Sequence, residues 1–243
     1  MTEARRRGFL VPTLATLIGL AILIGLGTWQ MERRAWKHAL IETIDARLAA
    51  PPVDVPATLA TPEDWEFRKV RVRGRFLHDK ERHVYRVGPQ GGAGYQVFTP
   101  LAREDGAILM VDRGWVAQEA KDPATRQQGQ IAGLIAVTGV LRLAEKPPRF
   151  STSAVGDGEK NIYYRATPAY LATEVGLAAP DYYVAVDPAS SPAGGPQGRL
   201  PGARLADNHL QYALTWYGLA VALMGVYAVL WRRHRRAATA RNK

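Results

Sequence analysis

Residues 9–28, FLVPTLATLIGLAILIGLGT, run for twenty positions without a charge. A second apolar stretch occupies residues 209–231. At 1.5 Å rise per residue the first makes a helix roughly 30 Å long, the thickness of the hydrocarbon core of a bilayer. Two such stretches, one near each end, predict a hairpin of membrane spans holding a single domain between them. Pro12 falls in the first turn of the first span, where its missing N–H costs little. A signal peptide also starts with arginines ahead of an apolar run. This run is longer than a signal core and ends in GTWQMERR without a small-x-small cleavage site, so an uncleaved anchor is expected.

The formal net charge of +10 sits at the two ends. Residues 1–8 carry Arg5, Arg6 and Arg7 against Glu3, a net of +2, and residues 232–243 carry six cations and no acid, a net of +6. That leaves +2 for residues 9–231. A nearly neutral middle argues against nucleic acid as a partner, while basic tails beside apolar spans indicate membrane lipid. The positive-inside rule places both tails, 1–8 and 232–243, in the cytoplasm. Arg33, Arg34 and Lys37 lie on the far side, but a loop this long translocates largely regardless of charge. The chain has no cysteine, which excludes disulfides, thiolate metal sites and CxxC redox chemistry. Any metal ligand must then come from carboxylates, Tyr, Met or the five histidines, His38, His78, His83, His209 and His234.

After the first span, residues 29–50 read as an amphipathic membrane-proximal helix, with Trp36, Leu40, Ile41, Ile44 and Leu48 at three- and four-residue intervals. Pro51, Pro52, Pro56 and Pro62 end it. Within 51–206 the period changes to two: FRKVRVRGRF, RHVYRV, GYQVFTPL, AILMVDRGWV, GLIAVTGVLRL and YYVAV are separated by Gly, Pro and Asp clusters. The expected class is therefore α+β, two transmembrane helices flanking one antiparallel β-rich sandwich or small barrel outside the cytoplasm. GPQGGAG at 88–94 reads as a hairpin loop. A short helix is expected at 167–176, with Thr167 as N-cap, Pro168 at N1 and Gly176 at its end. Residues 187–202 read as a loop leading to the second span, 207–231, with Asp207 or Asn208 as its N-cap. Ala15 and Gly19, Ala21 and Gly25, and Gly218 and Ala222 recur at helical spacing and allow close approach of helix backbones.

No nucleophile elbow, P-loop, dinucleotide fingerprint or HExxH occurs, and no nucleophile, base and orienting group converge in sequence, so no catalytic residue is assigned. His78 and His83 read as solvated loop histidines. His209 lies at the outer end of an apolar helix, where an ionisable group needs a partner or a task. Neutral imidazole is a common axial ligand of haem iron. Tyr212 and Trp216 share the His209 side of the helix at i+3 and i+7. Gly25 and Gly27 stand at about the same depth in the first span and could admit a flat macrocycle between the helices. The alternative is an interfacial histidine bonded to headgroups or to Asn208, with the aromatics as ordinary belt residues.

LGTWQMERRAWKHALI at 26–41 resembles the opening signature of the surfeit-locus family of cytochrome c oxidase assembly factors, and NHLQYALTWYGLA at 208–220 resembles its closing one. VRVRGRF, GYQVFTPL, ILMVDRGWV and RQQGQ resemble the family between them, in order. Two departures stand out. Asp112 occupies a position usually held by Asn, and Ala166 follows Tyr164-Arg165 where an acid is usual. The resemblance implies a non-enzymatic assembly factor that binds haem a and assists its insertion into subunit I of the oxidase. Its implied partners are subunit I and the haem a synthesis machinery. It also implies His209 as the suspected axial ligand of the iron. By spacing and depth, Tyr212, Trp216, Gly25 and Gly27 would then surround the macrocycle, with Trp29 and Arg33 at the outer end of the first span. Arg33, Arg34 and Lys37 would offer charge to the propionates. A haem-independent scaffold for subunit I is the rival reading. Only eight residues precede the first span, so a bacterial inner-membrane protein with its domain in the periplasm is expected.

Overall fold

The computed structural model describes residues 3–88, 91–147, 155–199 and 207–240. Its helices are α1 (Glu3–Ala49), α2 (Pro168–Thr173) and α3 (His209–Ala240), and its strands are β1 (Val53–Asp54), β2 (Lys69–Phe76), β3 (Arg82–Val87), β4 (Ala93–Arg103), β5 (Ile108–Ala117), β6 (Ile135–Leu143), β7 (Gly156–Asp157), β8 (Ile162–Tyr163) and β9 (Tyr182–Val186). The chain forms two units, residues 1–43 with 204–243, and residues 44–203.

In the first unit α1 and α3 pair antiparallel. Residues 9–49 and 209–236 each contain a stretch long and apolar enough to cross a membrane. The less exposed positions of α1, among them Thr16, Leu20, Leu23, Gly27, Gln30 and Arg34, recur at alternating three- and four-residue steps. So do His209, Ala213, Trp216, Ala220, Leu223 and Tyr227 on α3. This is the heptad seam of a left-handed helix pair. A Cβ on Gly19 would stand 3.0 Å from Leu223, and one on Gly27 would stand 2.6 Å from the Tyr217 ring. Thr13 meets the Tyr227 hydroxyl at 3.0 Å. Ala213 and Ala220 are buried small residues of α3. Gly25 and Gly218, expected to bring the backbones together, instead have open space over them.

In the second unit the expected alternation is realised in β2, where Val70, Val72 and Phe76 are buried and Arg73 and Arg75 exposed. β2 pairs with β6, β6 with β9, β9 with β5, β5 with β4, and β4 back to β2, so five strands close a ring. The sheet is mixed, because β1–β2, β3–β8 and β5–β9 run parallel. This corrects the antiparallel expectation: alternation within a strand reports which face is buried, not the direction of its neighbour. Val70, Val72, Leu101, Leu109, Val111, Val137, Leu141 and Val184 fill one core, contributed by all five ring strands. Val84, Phe98, Met110, Tyr183 and Ala185 form a second core covered by Tyr163 of β8 and Leu171 and Ala172 of α2. β5 and β9 lie between the two cores, so all five residues of YYVAV are buried and the strand shows no alternation.

Local signals hold where the backbone decides. β3 and β4 form the expected antiparallel hairpin, with Gly88 N–H bonded to the Gly92 carbonyl at 2.7 Å. α2 ends in a Schellman motif: Leu177 N–H bonds to the Ala172 carbonyl and Gly176 N–H to that of Thr173, with Gly176 at φ +71°. Thr167 makes no side-chain cap. Part of the expected loop at 187–202 lies outside the described residues. Within it, Pro188–Ser190 forms a 3-10 turn and Gln197 bridges to Trp115.

Candidate functional site

The polar end of the helix pair is built around Asp207 and His209. The Asp207 carboxylate accepts from His209 N–H at 3.1 Å, relieving an orphan donor of the first turn of α3. It also meets His38 Nε2 at 2.8 Å and Arg34 Nε at 3.5 Å, both on α1. One level deeper, His209 Nδ1–H donates to Gln30 Oε1 at 2.7 Å. With Nδ1 donating, a neutral ring keeps its lone pair on Nε2. That is how ligating histidines are commonly held, with the second ring nitrogen bonded to a fixed acceptor. Sequence reasoning missed Gln30. Its signal was the spacing Gly27–Gln30–Arg34, which puts it on the seam.

The other expected site residues separate into two groups. Gly27 and Trp216 lie on the seam with His209. The space beside Gly27 is taken by Tyr217, whose hydroxyl lies 3.3 Å from Thr28 Oγ1, so no slot for a macrocycle opens between the helices at that level. Trp29 and Tyr212 are more than half exposed, at 55% and 54%. Gly25 is exposed with nothing above it. Arg33 is exposed, its guanidinium stacked 4.1 Å over Trp36. Tyr217 covers Gly27, while Trp29, Arg33 and Tyr212 stand exposed towards the His209 end of the pair. These residues fit a haem held outside the helix pair rather than between the helices.

The second unit has its own polar groups. His83 is buried rather than solvated, with Nε2 3.1 Å from Glu81 Oε1, and Glu81 also pairs with the buried Arg126. Burial alone would raise the Glu81 carboxyl, but hydrogen bonds from His83 and Arg126 outweigh it and hold the group below its ordinary range. Asp112 is buried and accepts from Gln96 Nε2 at 2.8 Å and Gly114 N–H at 2.9 Å. Desolvation, only partly offset by the Gly114 bond, pushes its carboxyl up to about 7. The next residue, Arg113, is buried against Phe76, His78 and Gly129.

The SURF1 family matches residues 17–221, from within the first apolar helix to within the last. The chain belongs to the SURF1 family. It is 33% identical to Surfeit locus protein 1 of Rattus norvegicus over 228 residues, covering 88% of this chain and 72% of that protein. To Surfeit locus protein 1 of Homo sapiens it is 35% identical over 214 residues, 82% of this chain and 70% of the relative. The SURF1-like protein of Drosophila melanogaster is 34% identical over 233 residues, 88% of this chain and 74% of the relative. The match spans both apolar helices and the ring of strands, so membership rests on the architecture as a whole rather than on one motif.

Proposed function

We propose that this chain is a membrane-anchored assembly factor for haem–copper cytochrome c oxidase that binds haem a through His209 and assists its insertion into subunit I. The observation carrying the reading is the His209–Gln30 bond, which leaves Nε2 free to ligate at the outer end of two apolar helices. When bound, haem would supply an iron that accepts a nitrogen ligand. The protein's residues would hold it: His209 by its free nitrogen, Gln30 by fixing the tautomer, Trp29 and Tyr212 by contact with the macrocycle, and Arg33 by charge toward a propionate. The role is that of a carrier rather than an enzyme. The partners are subunit I and the haem a synthesis machinery.

The two helices cross a bacterial cytoplasmic membrane with both tails inside and the strand-rich unit in the periplasm. The arginine flanks support that orientation.

The test is an absorption spectrum of protein purified from cells that synthesise haem a. The wild type carries haem, and His209→Ala loses most of it while remaining inserted. Unchanged haem content in His209→Ala favours the rival scaffold, which needs only packing at that position. Loss of haem with a substitution at His78 or His83 places it on the strand-rich unit and refutes the helix-pair site.

A further inference from the structure

Arg113 is 4% exposed, and among the described residues no carboxylate stands within ion-pair distance of it. Glu81, whose field reaches it, is already engaged by Arg126 and His83. His78 is no counter-charge either. Its Nε2 lies 3.0 Å from the Ile131 carbonyl, and its Nδ1 lies 3.3 Å from Arg113 Nη1, so it stands as a neutral ring accepting from the arginine. Burial lowers its pKa, in keeping with that form. Two guanidinium and one carboxylate charge thus leave one positive charge buried without compensation. Desolvation accordingly pulls Arg113 down to about 10. Burying an unpaired charge costs several kcal/mol, which a fold tolerates where the charge has a partner to meet.

Arg113 lines a cavity of about 350 Å³ with Phe76, Ile131, Ile135, Val137, Val186 and Pro192. The remaining lining residues are Ala136 and Ser190. Two of the five guanidinium N–H donors go to His78 and Gly129, which leaves three. One buried cation in a groove whose other side chains, Ser190 apart, are apolar is the inverse image of a ligand with one anionic head and an aliphatic body. A peptide would bring amides that these side chains could not satisfy, since only Arg113 and Ser190 are polar, whereas an alkyl chain asks for no hydrogen bonds.

We propose that this groove binds a medium-chain fatty carboxylate, its head on Arg113 and its chain along Phe76, Ile135, Val137 and Val186. The site lies wholly within the strand-rich unit and is independent of haem. The probe is a decanoate bearing a terminal diazirine, photo-crosslinked to the full-length protein in nanodiscs and mapped by peptide mass spectrometry. Adducts are expected on peptides containing Phe76 or residues 131–137. Excess decanoate should remove them and 1-decanol should not, because the alcohol has no charge for Arg113. Arg113→Gln should reduce labelling at least tenfold. Should that variant fail to fold, Ala136→Trp, which fills the groove from an exposed position and keeps Arg113, should produce the same loss. Equal competition by decanol, undiminished labelling of Ala136→Trp, or adducts confined to α1 and α3 would each overturn the proposal. So would competition by a peptide ending in a free leucine carboxylate but not by decanoate.

Discussion

Replacing Asp112 by Asn should stabilise the strand-rich unit at neutral and alkaline pH and remove a fall in stability with rising pH. The carboxyl sits between β4 and β9 with two hydrogen-bond donors aimed at it, but desolvation dominates and moves it from 3.8 to about 7. A folded-state value above the unfolded one means that the folded protein holds the proton more tightly. The associated stability is present below about pH 4 and is lost as pH rises through 7. At 1.36 kcal/mol per unit, the full shift is worth about 4 kcal/mol, of which about 2.5 kcal/mol disappears between pH 5 and 8. Asn keeps an oxygen for Gly114 N–H and cannot ionise, and Gln96, which is half-buried, can turn its amide to present oxygen to the new NH₂. Hydrogen exchange of peptides covering β5 and β9, read by mass spectrometry on the full-length protein, compares the two at each pH. The protection ratio of variant to wild type should grow by about two orders of magnitude from pH 5 to 8. Parallel profiles, or a less protected Asn variant at pH 8, would refute the claim that desolvation governs this residue.

Glu81→Gln should cost about 3–5 kcal/mol by leaving Arg126 buried and uncompensated; a melting temperature within a degree or two of wild type would contradict the pairing. The same pair makes the unit acid-sensitive, since a lowered carboxyl pKa contributes stability above the ordinary range that is lost as pH falls through the folded value. Gly114→Ala should free the 187–199 segment to proteolysis, because the residue has φ +118° and its Cβ would run into the Gln197 backbone; wild-type resistance to trypsin would count against this. Gln30→Leu should lower haem retention without removing the ligand, and equal retention would mean that the Nδ1 bond is incidental. A cytoplasm-active reporter fused after Lys243 and a periplasm-active one inserted within 187–198 should both be active, and the reverse pair would invert the hairpin.

The features legible in the sequence are those decided within one turn or one strand. An uncharged run of twenty residues is long enough for a helix of roughly 30 Å, so both apolar helices were readable from the sequence alone. RHVYRV and YYVAV match the bounds of β3 and β9, because β-branched and aromatic residues fit a pleated buried surface. The Gly176 stop of α2 follows from backbone freedom at glycine, as does the turn from β3 to β4, where Gly91 has φ +85°. Residues 89–90 of the expected 88–94 loop lie outside the described residues, and Ala93 and Gly94 already belong to β4. His209 and Trp216 could be placed on one side of a helix by spacing alone.

What only the tertiary structure decided are the partners. Alternation cannot say that β9 inserts parallel to β5 and antiparallel to β6, since register and neighbour depend on packing from residues far away in the chain. The seam between α1 and α3 selected Gly19 and Gly27 for contact and left Gly25 outside, although all three are the same residue in the same apolar run. His83 looked like a loop histidine until Arg126, forty-three positions later, closed over it with Glu81. Gln30 is an ordinary interfacial residue in sequence and becomes the partner of His209, 179 positions away, only because the two helices meet at that level. Hydrophobic pattern fixes which face of an element is buried; shape and charge on the opposing element fix what it is buried against.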